Sequence, residues 1–332
     1  PRGPVIDVHA HLDARAANRI ERLLDASGVH SVVNLSGGNF RQGISASLRL
    51  SQHLPGRVFH SYTPDWSGLD EPWWGVREAI QLERAVRQFG FVGLKISKAL
   101  GLYLRDKNQV LLDVDDPRFD PLWEKAAELG IPVSIHTSDP KAFWEPNNAA
   151  NERYDELHHH PSWSFGDKPV PTRNALLAMR DRVIDRHPAT TFVCVHFANN
   201  PEDLDYVDAL LQRYPNAMVD LSARVPEIGR HPPAKVRDLF VRHADRILFG
   251  TDIGIGPGFL MLGSTGGDPP TDADVATFYQ SHFRFLETHD RQFNHPTPIQ
   301  GRWKIDGIGL PPAVRTKIYR TNAIRLFGLP TQ

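Results

Sequence analysis

Eight short runs rich in β-branched and apolar residues recur along the chain with helical patterns between them, and this alternation restricts the fold more than any other feature. The runs cover residues 5–9, 29–35, 57–62, 91–97, 131–136, 191–196, 217–222 and 246–251, each flanked by Gly, Pro or Asn. Apolar residues at helical spacing fill the gaps over 14–26, 74–89, 119–129, 174–187, 201–214 and 234–243. Asn200 before Pro201, Glu202 and Asp203 reads as an N-cap with Pro at the first helical position. Eight strands alternating with helices predict a parallel (β/α)8 TIM barrel, a single domain over 1–332, with its active site at the C-terminal strand ends. A doubly wound sheet is the alternative, but Asp13 and Ala14 stand where its glycine-rich phosphate turn would usually lie. Two connections, about 137–172 and 253–271, are long enough to be lids or substrate walls.

Composition narrows the partners. With 40% hydrophobic and 23% charged residues and a net charge of -1, the chain has no field to attract nucleic acid or an anionic membrane. A small-molecule substrate is expected, and self-association into a homo-oligomer is left open. The single cysteine, Cys194, excludes an intrachain disulfide framework. No run approaches the ~20 apolar residues of a membrane helix, so a soluble chain is expected. Because the sequence opens at Pro1, a removed leader fits as well, and the expected cytoplasmic location stands beside a periplasmic or secreted one.

The chemistry-bearing residues fall at strand ends. In the first run His9 and His11 alternate with Val8 and Ala10, so both imidazoles, and Asp7 with them, are expected on one face. A His-x-His pair alone is a weak metal signal. In the fifth run Ile131, Val133 and Ile135 face the helices and leave His136 pointing inward. In the sixth, Phe192, Cys194 and His196 share the inward face opposite Val193 and Val195. The eighth places Leu248, Gly250 and Asp252 toward the axis. Any one of these has a bland reading: His136 as a hydrogen-bonded core histidine, Asp252 as a helix cap. Together, four histidines and an aspartate at the ends of four strands point to a metal. In the fourth run Val92, Leu94 and Ile96 face out and Lys95 faces in, either at the metal or in a salt bridge to a carboxylate such as Asp220. The triplet His158, His159, His160 reads as a loop or substrate wall before a second metal site.

These residues resemble the amidohydrolase superfamily, in the branch of metal-dependent hydrolases that also holds the aminocarboxymuconate semialdehyde type of decarboxylase. The resemblance rests on the segment from Ile6 to His11, Gly93-Leu94-Lys95, His136, His196, the segment from Leu248 to Asp252, and the closing segment from Ile318 to Phe327. It implies a barrel with His9, His11 and Asp252 on a divalent metal and His136 normally beside them. His196 is then a second-metal ligand or an acid/base group, and Lys95, where two ions are bound, is carboxylated and bridges them. Zinc is the expected ion, with manganese or iron as alternatives, in one or two copies.

On that footing the first expectation is a hydrolase acting on a lactone, ester or amide of a small cyclic or carboxylate-bearing substrate. A metal-activated water would attack the carbonyl, with Asp252 taking its proton and His196 assisting the substrate oxygen or leaving group. Arg224 is a candidate grip for a substrate carboxylate or a loop anchor, and Tyr62, Trp144, Trp163 and His158 are candidate substrate contacts or loop packing. A non-oxidative decarboxylase is the alternative with the same ligands; a non-catalytic binding protein on the same barrel is the third reading.

Overall fold

The computed structural model describes residues 2–331. Strands β1 (Val5–Leu12), β2 (Val29–Asn34), β3 (Val58–Tyr62), β4 (Gly93–Ile96), β5 (Val133–Ile135), β6 (Phe192–Cys194), β7 (Ala217–Asp220) and β8 (Ile247–Leu248) pair in chain order, each parallel to the next. On the far edge of β1 lie β9 (Ile253–Ile255), parallel to it, and β10 (Leu260–Leu262), antiparallel to β9. The chain between β8 and β9 joins the two edges: the Val8 N–H donates to the Phe249 carbonyl and the Asp252 N–H to that of His9, both at 2.9 Å. The eighth strand is thus split in two, one half on β7 and the other on β1, and the ring closes.

Helices cover the outside because each carries one apolar face. In Ala17–Ser27, for example, Ile20, Leu23 and Leu24 are buried, and Gly28 ends the helix in the left-handed region at φ 69°, where a side chain would be strained. Other helices include Trp74–Phe89, Asp120–Leu129, Arg173–Arg186, Leu204–Arg213, Pro233–Arg242 and Asp272–Glu287. Buried apolar residues sort into two clusters. One joins the helices to the outer strand faces and includes Val5, Ala10, Leu94, Ile96, Val133, Ile135, Ile247 and Phe249. The other fills the barrel with Ile6, Val8, Val33, Leu35, Val193, Val195, Met218 and Leu248, and Phe327 and Leu329 join it.

Several local expectations are corrected by this sorting. Phe192 and Cys194 face the helices and Val193 and Val195 the axis, the reverse of the expected parity. Val92 packs against the inner cluster rather than the helices. Asp7 departs from His9 and His11, because β1 shifts register between Asp7 and Ala10. The helix after β6 starts later than Pro201: Asp203 caps Leu204–Arg213 by accepting from the Tyr206 N–H, while Asn200 accepts from Arg173. The long connections are also structured. Residues 137–172 include the helix Tyr154–His159 and two 3-10 turns, and 253–271 includes the β9–β10 hairpin. No helix among the described residues is long and apolar enough to cross a membrane.

Candidate metal centre

β1 delivers two imidazoles to one place only because of its irregularity. Ile6 and Val8 face the axis on the regular pleat; after the register shift Ala10 and Leu12 face the helices, so His9 and His11 take the axis side. Asp252 enters from the gap between β8 and β9, turned by a left-handed φ of 64°. Its Oδ1 lies 3.5 Å from His9 Nε2 and 3.2 Å from His11 Nε2. Among the described residues these three offer ligand atoms within 4.8 Å of one another. Gly250 leaves room for them, since a Cβ there would sit 3.1 Å from that of His9.

Each imidazole is aimed by a partner on its other nitrogen. Asp220 Oδ2 lies 2.8 Å from His9 Nδ1. Burial would raise the Asp220 carboxyl, but His9, Ser222 and the His196 N–H outweigh it and lower its pKa, so it accepts and His9 Nδ1 donates. His9 Nε2 is left with its lone pair facing the site, buried and without a hydrogen-bond partner. His11 Nδ1 meets Ser36 Oγ at 2.6 Å. His196 Nδ1 donates to the Ser222 carbonyl at 2.9 Å, which frees its Nε2. Burial first, then Lys95, lowers the His9 pKa, and burial with the charges of His136 and Arg224 holds His196 well below the usual range, so both stay neutral. Burial would raise Asp252; His9, His11 and Lys95 together bring it down to about 2.

His196 reaches the site by a route that strand parity does not describe. β6 stops at Cys194, and residues 196–199 all take left-handed φ values of 51–57°, which swings the ring to 4.8 Å from His9 and 4.3 Å from His136 between centroids. His136 flanks the three-residue group without joining it. Its Nε2 stands 3.6 Å from Asp139 Oδ1, and burial lowers its pKa to about 4. The salt bridge considered between Lys95 and Asp220 does not form. Lys95 Nζ is buried without a hydrogen-bond partner, and burial pulls its pKa to about 8 against the attraction of Asp220 and Asp252. Two orphaned imidazole nitrogens, on His9 and His136, thus stand with the ionised Asp252 carboxylate, and Lys95 Nζ, mostly protonated at neutral pH, is not counted with them. That donor set fits a divalent cation taking nitrogen and oxygen ligands.

A cleft of about 640 Å³ opens above His11 and Lys95, with Ser36, Thr63, Trp66 and Ser97 among its walls. The residues expected to touch substrate fare unevenly. Tyr62 is placed elsewhere: it packs in the outer cluster with Val58 and donates its hydroxyl to Glu78 at 2.9 Å. His158 is exposed to solvent against Tyr154 and His159. Trp144 anchors its own segment through Nε1 to the Pro171 carbonyl at 3.2 Å. Trp163 lies nearer the rim, with Lys98 Nζ 5.0 Å over its ring; Lys98 in turn donates to Asp139 at 2.6 Å, beside His136. Arg224 is buried by His196 and gives Nη1 to the Ala223 carbonyl at 2.8 Å. The sequence reading missed Ser36, Ser222 and Asp139, and saw Asp220 only as a partner for Lys95. The inward parity of Asp220 next to His9 on the closed ring was the available signal.

A closed parallel barrel with a His-His-Asp cluster at its strand ends defines the class of metal-dependent TIM-barrel enzymes. The chain belongs to the amidohydrolase family, whose sequence profile matches residues 6–329. Over 258 residues it is 26% identical to a γ-resorcylate decarboxylase of Rhodococcus jostii (strain RHA1), covering 76% of this chain and 66% of that relative, just under two thirds of its length. Among solved structures it resembles 2,6-dihydroxybenzoate decarboxylase from Rhizobium, at a TM-score of 0.55 and 16% identity over 98% of this chain and 99% of that one. It also resembles a dihydroxybenzoic acid decarboxylase from Polaromonas sp. JS666 carrying manganese and the inhibitor 2-nitroresorcinol, at a TM-score of 0.58 and 17% identity over 99% and 98%. At these identities the structural likeness shows the fold.

Proposed function

We propose that the protein is a metal-dependent, non-oxidative decarboxylase of a hydroxylated aromatic acid. The observation that carries this reading is the identity shared with γ-resorcylate decarboxylase along most of this chain, and it favours decarboxylation over the hydrolysis first expected. The residues suit the chemistry. His9, His11 and Asp252 would hold the ion, with His136 and His196 beside it; zinc and manganese both accept such donors. When bound, the cation supplies positive charge for a substrate's carboxylate and neighbouring phenol oxygen. Asp252 is the carboxylate free to exchange a proton with substrate, because its side chain is 14% exposed while that of Asp220 is 1% exposed. Ionised at rest, it takes the phenolic proton as the substrate enters and returns it to the ring carbon. As the carbon–carbon bond breaks, its electron pair stays on the ring and receives that proton, carbon dioxide leaves, and the phenolate oxygen takes a proton from solvent as the product departs. His196, neutral, accepts a hydrogen bond from substrate through Nε2. The charge of Arg224 helps to keep His196 unprotonated.

The test is product analysis of metal-replete protein given 2,6-dihydroxybenzoate. Resorcinol and carbon dioxide should appear one for one, and Asp252→Asn should lower the rate at least ~100-fold. Turnover of lactones or esters with no carbon dioxide released from any hydroxybenzoate would reject this reading in favour of the hydrolase.

A further inference from the structure

The Asp7 carboxylate takes no part in the chemistry above, yet it is fully buried on the helix-facing side of β1. Its neighbours on that face, Val5 and Ala10, are apolar core residues. A carboxylate there is costly unless its oxygens are satisfied. Asp7 is saturated. Oδ1 accepts from the His9 N–H at 3.0 Å and the Thr251 N–H at 3.1 Å. Oδ2 accepts from the Thr251 hydroxyl at 2.5 Å and the Tyr279 hydroxyl at 2.8 Å. Two of the four donors belong to Thr251, the residue next to Asp252, and a third is the backbone of His9 itself. The carboxylate therefore clips together the two strand ends that carry ligands, and the helix Asp272–Glu287 braces the clip from outside through Tyr279.

We infer that Asp7 is a positioning residue that fixes the spacing of His9 and Asp252 through Thr251 and Tyr279. Two backbone hydrogen bonds already join these strands, Val8 to Phe249 and Asp252 to His9. They set the pairing of the chains at Phe249 and Asp252, and the clip ties the residue between them, Thr251, through both its N–H and its hydroxyl. The inference rests on the metal-centre reading of His9, His11 and Asp252 and is independent of the reaction catalysed.

The experiment replaces the metal with Co2+, whose visible d–d bands report coordination geometry, in the wild type and in Thr251→Val, Thr251→Ser and Tyr279→Phe. Thr251→Val removes one donor at nearly constant shape; Thr251→Ser keeps the hydroxyl. Expected are shifted bands and Co2+ binding weakened about 10- to 100-fold in Thr251→Val. Thr251→Ser should give the wild-type spectrum, and Tyr279→Phe a displaced one. Thermal melts show which variants fold; should Thr251→Val fail to, Tyr279→Phe carries the test alone from an outer helix. Wild-type spectra and affinity in the folded loss-of-donor variants overturn the inference alone. A wild type that takes up no Co2+ overturns the metal reading and the inference with it.

Discussion

Replacing Asp220 by Asn tests how the site sets the tautomer of His9. In the native protein Asp220 Oδ1 receives the His196 N–H at 2.8 Å, the Ser222 N–H at 3.2 Å and the Ser222 hydroxyl at 2.6 Å, while Oδ2 receives His9 Nδ1. The two backbone donors cannot be reversed, so the amide oxygen of the variant has to take the Oδ1 position. Its NH2 group then faces His9 Nδ1, which has to accept, and the imidazole proton moves to Nε2. A protonated Nε2 cannot bind a metal. To bind one, the ring returns its proton to Nδ1 and faces the amide N–H there without a hydrogen bond, where the wild type keeps a charge-assisted one worth about 1.5–3 kcal/mol. At about 1.4 kcal/mol per decade, the expected loss of affinity is about 10- to 100-fold, in a variant of nearly unchanged shape. Competition against a chromogenic chelator measures it, and ring 15N shifts of the metal-free variant should place the His9 proton on Nε2. Affinity within about twofold of wild type, with the proton still on Nδ1, would refute the argument.

Two further predictions concern stability. Burial lowers His60 and His282 from 6.5 to about 4, so the unfolded chain binds more protons than the folded one between those values. Their contribution is complete above pH 6.5 and is lost as the pH falls toward 4, up to about 3 kcal/mol for each; Asp7, raised by burial to about 6, offsets part of this with the opposite sign. Urea unfolding across that range should show the decline, and His282→Gln should flatten it; an unchanged slope counts against the assignment. Arg153, wholly buried, pairs with Glu156 at 2.6 Å and with Glu227. Arg153→Met would strand both carboxylates and cost about 3–5 kcal/mol, whereas adding Glu156→Gln and Glu227→Gln should recover most of it; a single-variant cost below about 1 kcal/mol would contradict the pairing.

The alternation of strands and helices was readable because a barrel strand needs only a short β-branched run between punctuators, and His9, His11, His136, His196 and Asp252 were readable because the topology gathers strand ends. What was hidden lies in backbone irregularity. Parity carried through β1 and β6 assumes an unbroken pleat, and the register shift before Ala10 and the left turn after Cys194 leave no residue-type signal, since neither uses glycine. Tyr62 could have been excluded, because it shares the face of Val58, an outer-core residue. The partner of His9 was harder, as Asp220 is 211 residues away and only ring closure makes them neighbours.

The left-handed run His196–Asn199 has a consequence for anyone seeking a more heat-resistant version of this enzyme. Each non-glycine residue there carries a penalty of roughly 1–2 kcal/mol, so the turn that presents one histidine sets several kcal/mol against a whole-protein stability of about 5–15 kcal/mol. The fold carries that debt beside the His9-His11-Asp252 cluster. Relief by glycine is available at Ala198, but it loosens the segment that aims His196. Robustness and the placement of the His196 ring therefore compete here, at one turn of backbone and within four residues.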